Sequence, residues 1–348
     1  MIDNLLKKDV LPDPLIRLGV RQKTNNRIKS LEKMDVSEKE DFLMDFIKER
    51  SQGPIAINTG DANEQHYEVP SSFFDLVLGK HKKYSCAYWE EGDSLDDAEI
   101  RMLDLVCKRA GIEDGQKIMD LGCGWGSFSL YAAMRFPNAH ITAVSNSNNQ
   151  RNYIEEKARQ KGIRNLQVIT CDINDLALEE KFDRVVSIEM FEHMRNYQEL
   201  FQKVAGFLND QGKLFVHVFC HRQVPFTYEV KSNSDWMAKY FFTGGTMPSR
   251  DMFHFFNHDL RITQQWAVNG NHYSKTLEAW LKKMDSQKDL IMPILQEREG
   301  PEQSVKWWSY WRIFFIACSE FFAIKGGGEY FVAHYLFKKN ECHIKQKI

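Results

Sequence analysis

The chain carries no surplus of charge of either sign: 46 Lys and Arg stand against 48 Asp and Glu, a net of −2 over 348 residues. A nucleic-acid binder usually shows a basic excess, so that class is set aside. Cysteine is sparse and scattered. The seven residues (86, 107, 123, 171, 220, 318 and 342) are odd in number and contain no C-x-x-C pair. They form neither a disulfide framework nor a zinc pattern, they fit a reducing compartment such as the cytoplasm, and nothing calls for a metal. The start, Met1-Ile2-Asp3-Asn4-Leu5, is too acidic and too weakly apolar for a secretory signal. Internal repeats and low-complexity tracts are missing too. One stretch, Trp307 to Ile324, could be taken for a membrane span, but it carries Arg312 and Glu320 and is barely long enough. Trp308, Trp311, Phe315 and Phe322 recur in it near helical spacing, which reads as a buried helix without a transmembrane role.

What is present is a globular composition with an aromatic skew. Apolar residues make up 43% and charged residues 27%, which excludes a disordered or membrane-spanning chain overall. The last 128 residues hold 24 of the 44 aromatics and six of the eight Trp. Residues 1–50 read as helical and highly charged, with six basic residues and one acid between Leu15 and Lys33. That segment reads as a helix on the protein's own surface; the alternative is a contact with a membrane surface or an anionic substrate. Ser51-Gln52-Gly53-Pro54 reads as a linker.

The middle of the chain alternates strands and helices. Strands are expected at Lys117–Met119, His140–Val144, Leu166–Thr170, Arg184–Ile188 and Lys213–Cys220, with helices such as Gln150–Lys161 and Tyr197–Leu208 between them. Such alternation predicts an α/β fold, a parallel sheet covered on both faces, with ligands beyond the C-terminal strand ends. Two further strands are expected at Arg261–Val268 and Glu329–Lys338, separated by helices from Lys275 to Ile324. The expected organisation is a helical N-terminal extension (1–75), a Rossmann-like core (76–220), and an aromatic-rich substrate lid plus the final sheet strands (221–348).

The first strand ends in Asp120-Leu121-Gly122-Cys123-Gly124-Trp125-Gly126. Glycines two apart allow a sharp turn and a close backbone approach to a ligand. A dinucleotide site wants G-x-G-x-x-G, but here the third glycine comes one position early. The second strand ends in Ser145-Asn146 instead of an acid, so the usual ribose-binding carboxylate of an NAD site is missing. The fourth strand ends in Glu189-Met190-Phe191-Glu192-His193-Met194, which brings three titratable groups into one crevice.

The D-x-G-x-G-x-G pattern after a first strand resembles the S-adenosylmethionine site of class I methyltransferases. The resemblance implies that Gly122, Cys123 and Gly124 lie against the methionine portion, with Asp120 near its ammonium. It places Asn146, Ser147 and Gln150 at the ribose and Asp172-Ile173 beside the adenine. Tyr84-Ser85-Cys86-Ala87-Tyr88-Trp89, the GCGWG turn and Glu192-His193 are together similar to the cyclopropane fatty acid synthase superfamily. The Glu189–Met194 run, Met247-Pro248-Ser249, Gly270-Asn271-His272-Tyr273-Ser274-Lys275-Thr276 and Ala333-His334-Tyr335-Leu336-Phe337-Lys338-Lys339 are more similar to its coclaurine N-methyltransferase branch. The similarity runs from about Ile55 to Asn340. In that superfamily the Tyr-Ser pair, here Tyr84 and Ser85, contacts the cofactor.

Both branches use one methyl donor, so the substrate has to be read from the chemistry. An amine attacks only through its free lone pair, and for a pKa near 10 deprotonation at pH 7 costs about 4 kcal/mol. The resemblance assigns proton removal to Glu192 and His193; Glu189 would attract and orient the ammonium form. The lipid enzymes of the superfamily use bound bicarbonate and commonly carry a small residue where this chain has Glu189. A carboxylate there would repel bicarbonate, which favours a small aromatic or hydrophobic amine as substrate. Trp125 and Cys318 point the other way, toward a cyclopropane or methyl-branching lipid enzyme, although Cys318 also reads as a small buried residue. Tyr330 stands where the alkaloid enzymes usually have Trp, and Lys80 where some carry a substrate-contacting Glu, so benzylisoquinoline substrates do not follow. A cofactor-binding regulator without turnover would not need the intact Glu192-His193 pair. Tyr88, Trp89, Phe191, Phe242, Phe256, Trp308, Trp311, Phe315 and Tyr330 are the candidate pocket-lining aromatics, most of them expected to pack the lid.

Overall fold

A computed structural model describes residues 6–57, 69–232 and 235–340. The expectations for Met1–Leu5 and Cys342 lie outside those residues. In chain order the elements are α1 (Asp13–Lys33), α2 (Val36–Glu49), α3 (Ser71–Val77), α4 (Leu95–Ala110), β1 (Lys117–Leu121), α5 (Ser127–Arg135), β2 (His140–Ser145), α6 (Asn148–Gln160), β3 (Leu166–Thr170), β4 (Phe182–Ile188), α7 (Tyr197–Phe207) and β5 (Leu208–His221). They continue as β6 (Phe226–Thr227), α8 (Trp236–Tyr240), β7 (Thr246–Met247), β8 (Leu260–Val268), α9 (Gly270–Ser286), α10 (Lys288–Glu299), α11 (Pro301–Gly327) and β9 (Tyr330–Lys339).

Local chemistry sets several of these boundaries. Ser94 and Asp97 form a capping box at the start of α4, and Gly111 ends it in the left-handed region. Ser147 caps α6 by accepting from the Gln150 N–H. Strands β1 to β5 pair in parallel in the order β3-β2-β1-β4-β5, and β9 runs antiparallel between β5 and β8. The order reverses at β1, which opens the crevice between the ends of β1 and β4. Neighbouring residues of β1 feed opposite faces of the sheet: Ile118 joins one core cluster and Met119 the other.

The strands match the expectation with small extensions. The largest is at β5, which begins at Leu208 instead of Lys213 and pairs with Phe182 across a register shift. The stretch 307–324 lies in α11 with Trp308, Trp311, Phe315 and Phe322 buried. Among the described residues no helix is long and apolar enough to cross a membrane. Helix α1 is clasped to the lid: Arg17 binds Glu278 and Glu320, Arg21 binds Glu320, and Arg312 reaches back to Asp13.

Candidate active site

The cofactor side grows out of the turn after β1. Gly122, Gly124 and Gly126 all have positive φ, at 83°, 52° and 76°, a region glycine enters without steric cost. A Cβ at Gly122 would strike Met190, whereas one at Gly124 would meet nothing within 4 Å. Gly124 is thus the place where backbone faces an open cleft. That cleft spans about 530 Å³, solvent at its open mouth included, and is lined by Tyr84, Ser85, Asp120, Gly122, Cys123, Gly124, Trp125, Ser127 and Glu189 among others. Asp120 is buried, accepts from Ser129 Oγ at 2.5 Å, and is pushed up to about 7 by burial.

The second and third strand ends lie beside it. Gln150 is buried, its Oε1 accepts from Ser145 Oγ at 2.6 Å, and its Nε2 has no protein partner. Asn146 sits half-buried between them, and Ser147 is engaged as the cap of α6. Asp172 Oδ1 accepts from the Asn174 N–H at 2.8 Å, and Ile173 is buried behind it. A cationic methionine end, a ribose and an adenine fit this set in turn: a buried carboxyl and open glycine, then unpaired donors at Ser127 Oγ and Gln150 Nε2, then the β3 end. S-adenosylmethionine therefore suits the residues present.

The segment before α4 is pinned from two sides. Glu99, buried in α4, accepts from the backbone N–H groups of Gly79, His81 and Lys83, and burial raises its carboxyl to about 7. Lys83 is itself buried, donating to Ser85 Oγ and to the Cys86 carbonyl at 2.8 Å. From the lid, Thr276 Oγ1 accepts from the Ala87 N–H and the Trp89 indole, His272 accepts from the Trp89 N–H, and Tyr88 stacks on His272. The Tyr84–Trp89 and Gly270–Thr276 motifs are thus one hydrogen-bonded unit. Lys80 is exposed and lines an adjoining cleft with Lys157 and Lys161, which shares Lys82, Trp125 and Ser127 with the first.

Glu189 occupies the meeting point. Its φ of 48° is strained for a residue with a side chain, and it turns the carboxylate back into the cleft. Oε1 accepts from the Cys86 N–H at 3.0 Å and meets His217 Nε2 at 3.2 Å; Oε2 accepts from the Tyr273 hydroxyl at 2.5 Å. Burial pushes its proton affinity up and outweighs Lys83, the Tyr273 hydroxyl and the Cys86 N–H, which pull it down. Glu192, next along in the 3₁₀ turn Phe191–His193, is buried with Oε2 lacking a protein partner. Burial first, and then the charge of Glu189, hold its carboxyl well above the ordinary range. Both carboxyls of the pair therefore hold a proton more tightly than an ordinary carboxyl does, Glu192 the more strongly.

His193 packs against the Phe242 ring at 4.9 Å, and Phe242 in turn meets Phe219 and Tyr228. Tyr330 lies against Phe321 and His221, with its hydroxyl lacking a partner. Of the other candidate aromatics, Phe191 packs with Phe201 and Phe253, and Phe256 with Tyr197. Trp311 and Phe315 pack with Phe73 and Trp280, and Trp308 donates to Asp9. Cys318 is a thiol, pushed up to about 12 by burial with Glu189 adding to it. Reasoning from sequence did not single out His217, Lys83 or Glu99 as site residues. The signal for His217 was a polar residue in an otherwise apolar strand, Leu214 to Cys220.

Comparison with known proteins places this geometry. The profile of the family described as mycolic acid cyclopropane synthetase matches residues 57–326. An (S)-coclaurine N-methyltransferase of Thalictrum flavum subsp. glaucum is 36% identical, covering 97% of this chain and 96% of the relative. A cyclopropane-fatty-acyl-phospholipid synthase of Escherichia coli is 28% identical over 63% of this chain and 55% of its own length. The crystal structure of coclaurine N-methyltransferase bound to N-methylheliamine and S-adenosylhomocysteine superposes with a TM-score of 0.94 at 34% identity, covering 97% of this chain and 99% of that one.

Proposed function

Because this chain belongs to the mycolic acid cyclopropane synthetase family, and within it to the coclaurine N-methyltransferase-like branch, we propose that Glu189, Glu192 and His193 deliver the nitrogen of a small hydrophobic amine to the methyl donor. The protein is an S-adenosylmethionine-dependent N-methyltransferase. The cofactor supplies an electrophilic methyl group at the methionine end of the cleft; Asp120, the glycine turn, Tyr84 and Ser85 hold that end. Asn146, Gln150, Asp172 and Ile173 take the ribose and adenine, with Ser147 and Cys123 shaping the turns beneath them.

The amine arrives mostly as its ammonium form at neutral pH. Glu189, its carboxyl oriented by the Cys86 N–H, the Tyr273 hydroxyl and His217, attracts the ammonium in its ionised form and aims it. Glu192, whose proton affinity is raised by burial and by Glu189, is the stronger base once ionised, and His193 stands one residue on. One N–H proton of the ammonium passes first to the unprotonated member of this pair, and the freed lone pair then takes the methyl group as its bond to sulfur breaks, leaving S-adenosylhomocysteine. Phe242, Tyr228 and Tyr330 supply faces that exclude water around two cationic centres. The cytoplasm belongs to the same proposal, supported by six free thiols among the described residues.

The observation that carries this reading is the Glu189 carboxylate seated on Cys86, His217 and Tyr273. A bicarbonate in the same place would meet that charge, which disfavours the lipid chemistry of the cyclopropane synthases. The test is incubation with methyl-labelled S-adenosylmethionine and an amine panel, beside unsaturated phospholipid. Heliamine heads the panel, since its N-methyl form occupies the relative's crystal structure. Label on an amine is the expected result; label in lipid and in no amine overturns the proposal.

A further inference from the structure

Behind Glu189 a line of hydrogen bonds leaves the cleft and crosses the sheet. Glu189 Oε1 lies 3.2 Å from His217 Nε2, His217 Nδ1 lies 2.9 Å from His334 Nε2, and His334 Nδ1 lies 2.7 Å from an Arg109 guanidinium nitrogen. His217 on β5 and His334 on β9 are cross-strand partners in register, and both are fully buried. Arg109 is in the last turn of α4, half-buried, with its guanidinium 5.0 Å from the centre of the Trp266 ring.

The polarity of this line is fixed from its far end. A guanidinium has donors only, so His334 Nδ1 must accept. Both imidazoles are neutral, since burial pushes them well below their ordinary range and the nearby cations push further. A neutral His334 that accepts at Nδ1 carries its proton on Nε2 and donates it to His217 Nδ1. His217 must then carry its own proton on Nε2, where it points at Glu189. Reversing either ring would bring two donors or two acceptors face to face. An arginine does not take up a proton, so the line ends blind: it can orient a group but cannot carry the proton released by methylation.

We propose that Arg109 and His334 are positioning residues that set the tautomer of His217, so that its Nε2–H faces Glu189 and holds that carboxyl aimed at the amine. The inference rests on the reading of Glu189 given above. Other titratable groups also face that carboxyl: Lys83 and Cys86 from the preceding loop, Glu192 from the 3₁₀ turn, Tyr273 from α9 and Cys318 from α11. Lys83 also acts on both rings, and Tyr88 faces Arg109, so the ring tautomers are the readout that isolates the Arg109 line.

The experiment replaces Arg109 by Met, which removes the donor, and by Lys, which keeps one. In wild type, ¹⁵N spectra of histidine-labelled protein should show two non-titrating rings, each protonated at Nε2. Arg109→Met should mix those tautomers, raise the amine KM about tenfold while S-adenosylhomocysteine affinity stays put, and move the acid limb of kcat/KM to higher pH. Arg109→Lys should recover the wild-type tautomers and a KM within about threefold. Unchanged tautomers in Arg109→Met overturn the proposal. So do mixed tautomers accompanied by a wild-type KM and pH profile. A wild type that methylates no amine sinks the functional reading instead, and the ring spectra still decide whether Arg109 sets the tautomers.

Discussion

At the ends of β1, β2 and β3 each group proposed to face the cofactor comes from a turn that folds within a few residues of its strand. Ser145 fixes Gln150 five residues on, and Asp172 fixes Asn174 two residues on. Glu189, on the other side of the crevice, is held by His217, Tyr273 and Cys86, which lie 28, 84 and 103 residues away. On the proposed assignment the strand-end part of the cofactor site is local, Tyr84 and Ser85 being its long-range members, whereas the amine half is assembled by the sheet, the lid and the segment before α4 together. A site built this way can retune its substrate by changes in the lid without disturbing the glycine turn.

The sharpest way to separate the halves is to remove the proton acceptor. Glu192→Gln keeps the shape of the buried carboxyl but cannot take a proton, and turnover should fall by about a hundredfold or more. His193→Ala should cost at least about tenfold. S-adenosylhomocysteine binding by calorimetry should be unchanged in both, and full turnover in both would remove the proposed base. A smaller loss is expected from Tyr273→Phe. It strips one donor from Glu189 Oε2, which makes that carboxyl still harder to ionise and should raise the amine KM about tenfold with little change in kcat. An unchanged KM would mean that the carboxylate does not meet the amine.

How much of this was legible in the sequence follows the same division. The D-x-G-x-G-x-G turn and the five parallel strands are short-range patterns, and the sheet reproduces them with early starts at β4 and, most of all, at β5, where pairing to Phe182 adds residues that alternation alone did not reveal. Glu189, Glu192 and His193 were visible as a cluster because they are contiguous. Their unequal environments were not visible, since burial and three donors drawn from distant segments set them. His217 and His334 looked like unrelated polar residues until antiparallel pairing of β5 with β9 set them side by side. Nor did the aromatic surplus distinguish Phe242, which meets His193, from Trp311, which packs against Phe73.

The converse test acts on the cofactor half. Asp120 is pushed up to about 7 by burial, with Ser129 pulling it back. As pH falls through that value the carboxyl gains a proton and loses its attraction for an α-ammonium, which itself stays largely protonated below about pH 7.5. Affinity for S-adenosylhomocysteine should therefore fall about fivefold between roughly pH 7.5 and 5.5. Asp120→Asn should bind more weakly and lose the pH dependence, with the amine KM little changed. A wild-type affinity that is flat with pH would place the ammonium elsewhere.

The smallest effect is expected where the N-terminal helix is tied to the lid, away from both ligands. Glu320 is nearly buried and receives Arg17 and Arg21 together, while Arg21 itself is largely exposed. Burial pushes the Glu320 carboxyl up, but the hydrogen bonds from Arg21 and Arg17 outweigh it and hold it below the usual range. A carboxylate depressed in the fold contributes stability above its unfolded pKa and loses it as pH drops through the folded value. Glu320→Gln should then cost about 1 kcal/mol near neutral pH, and the gap to wild type should close below about pH 4. Thermal midpoints at several pH values, with and without added salt, would read this directly, since screening weakens the exposed Arg21 partner first. Both KM values should stay at wild type. If the amine KM rose instead, the clasp would belong to the substrate half, and the division between a local cofactor site and an assembled amine site would have to take in helix α1.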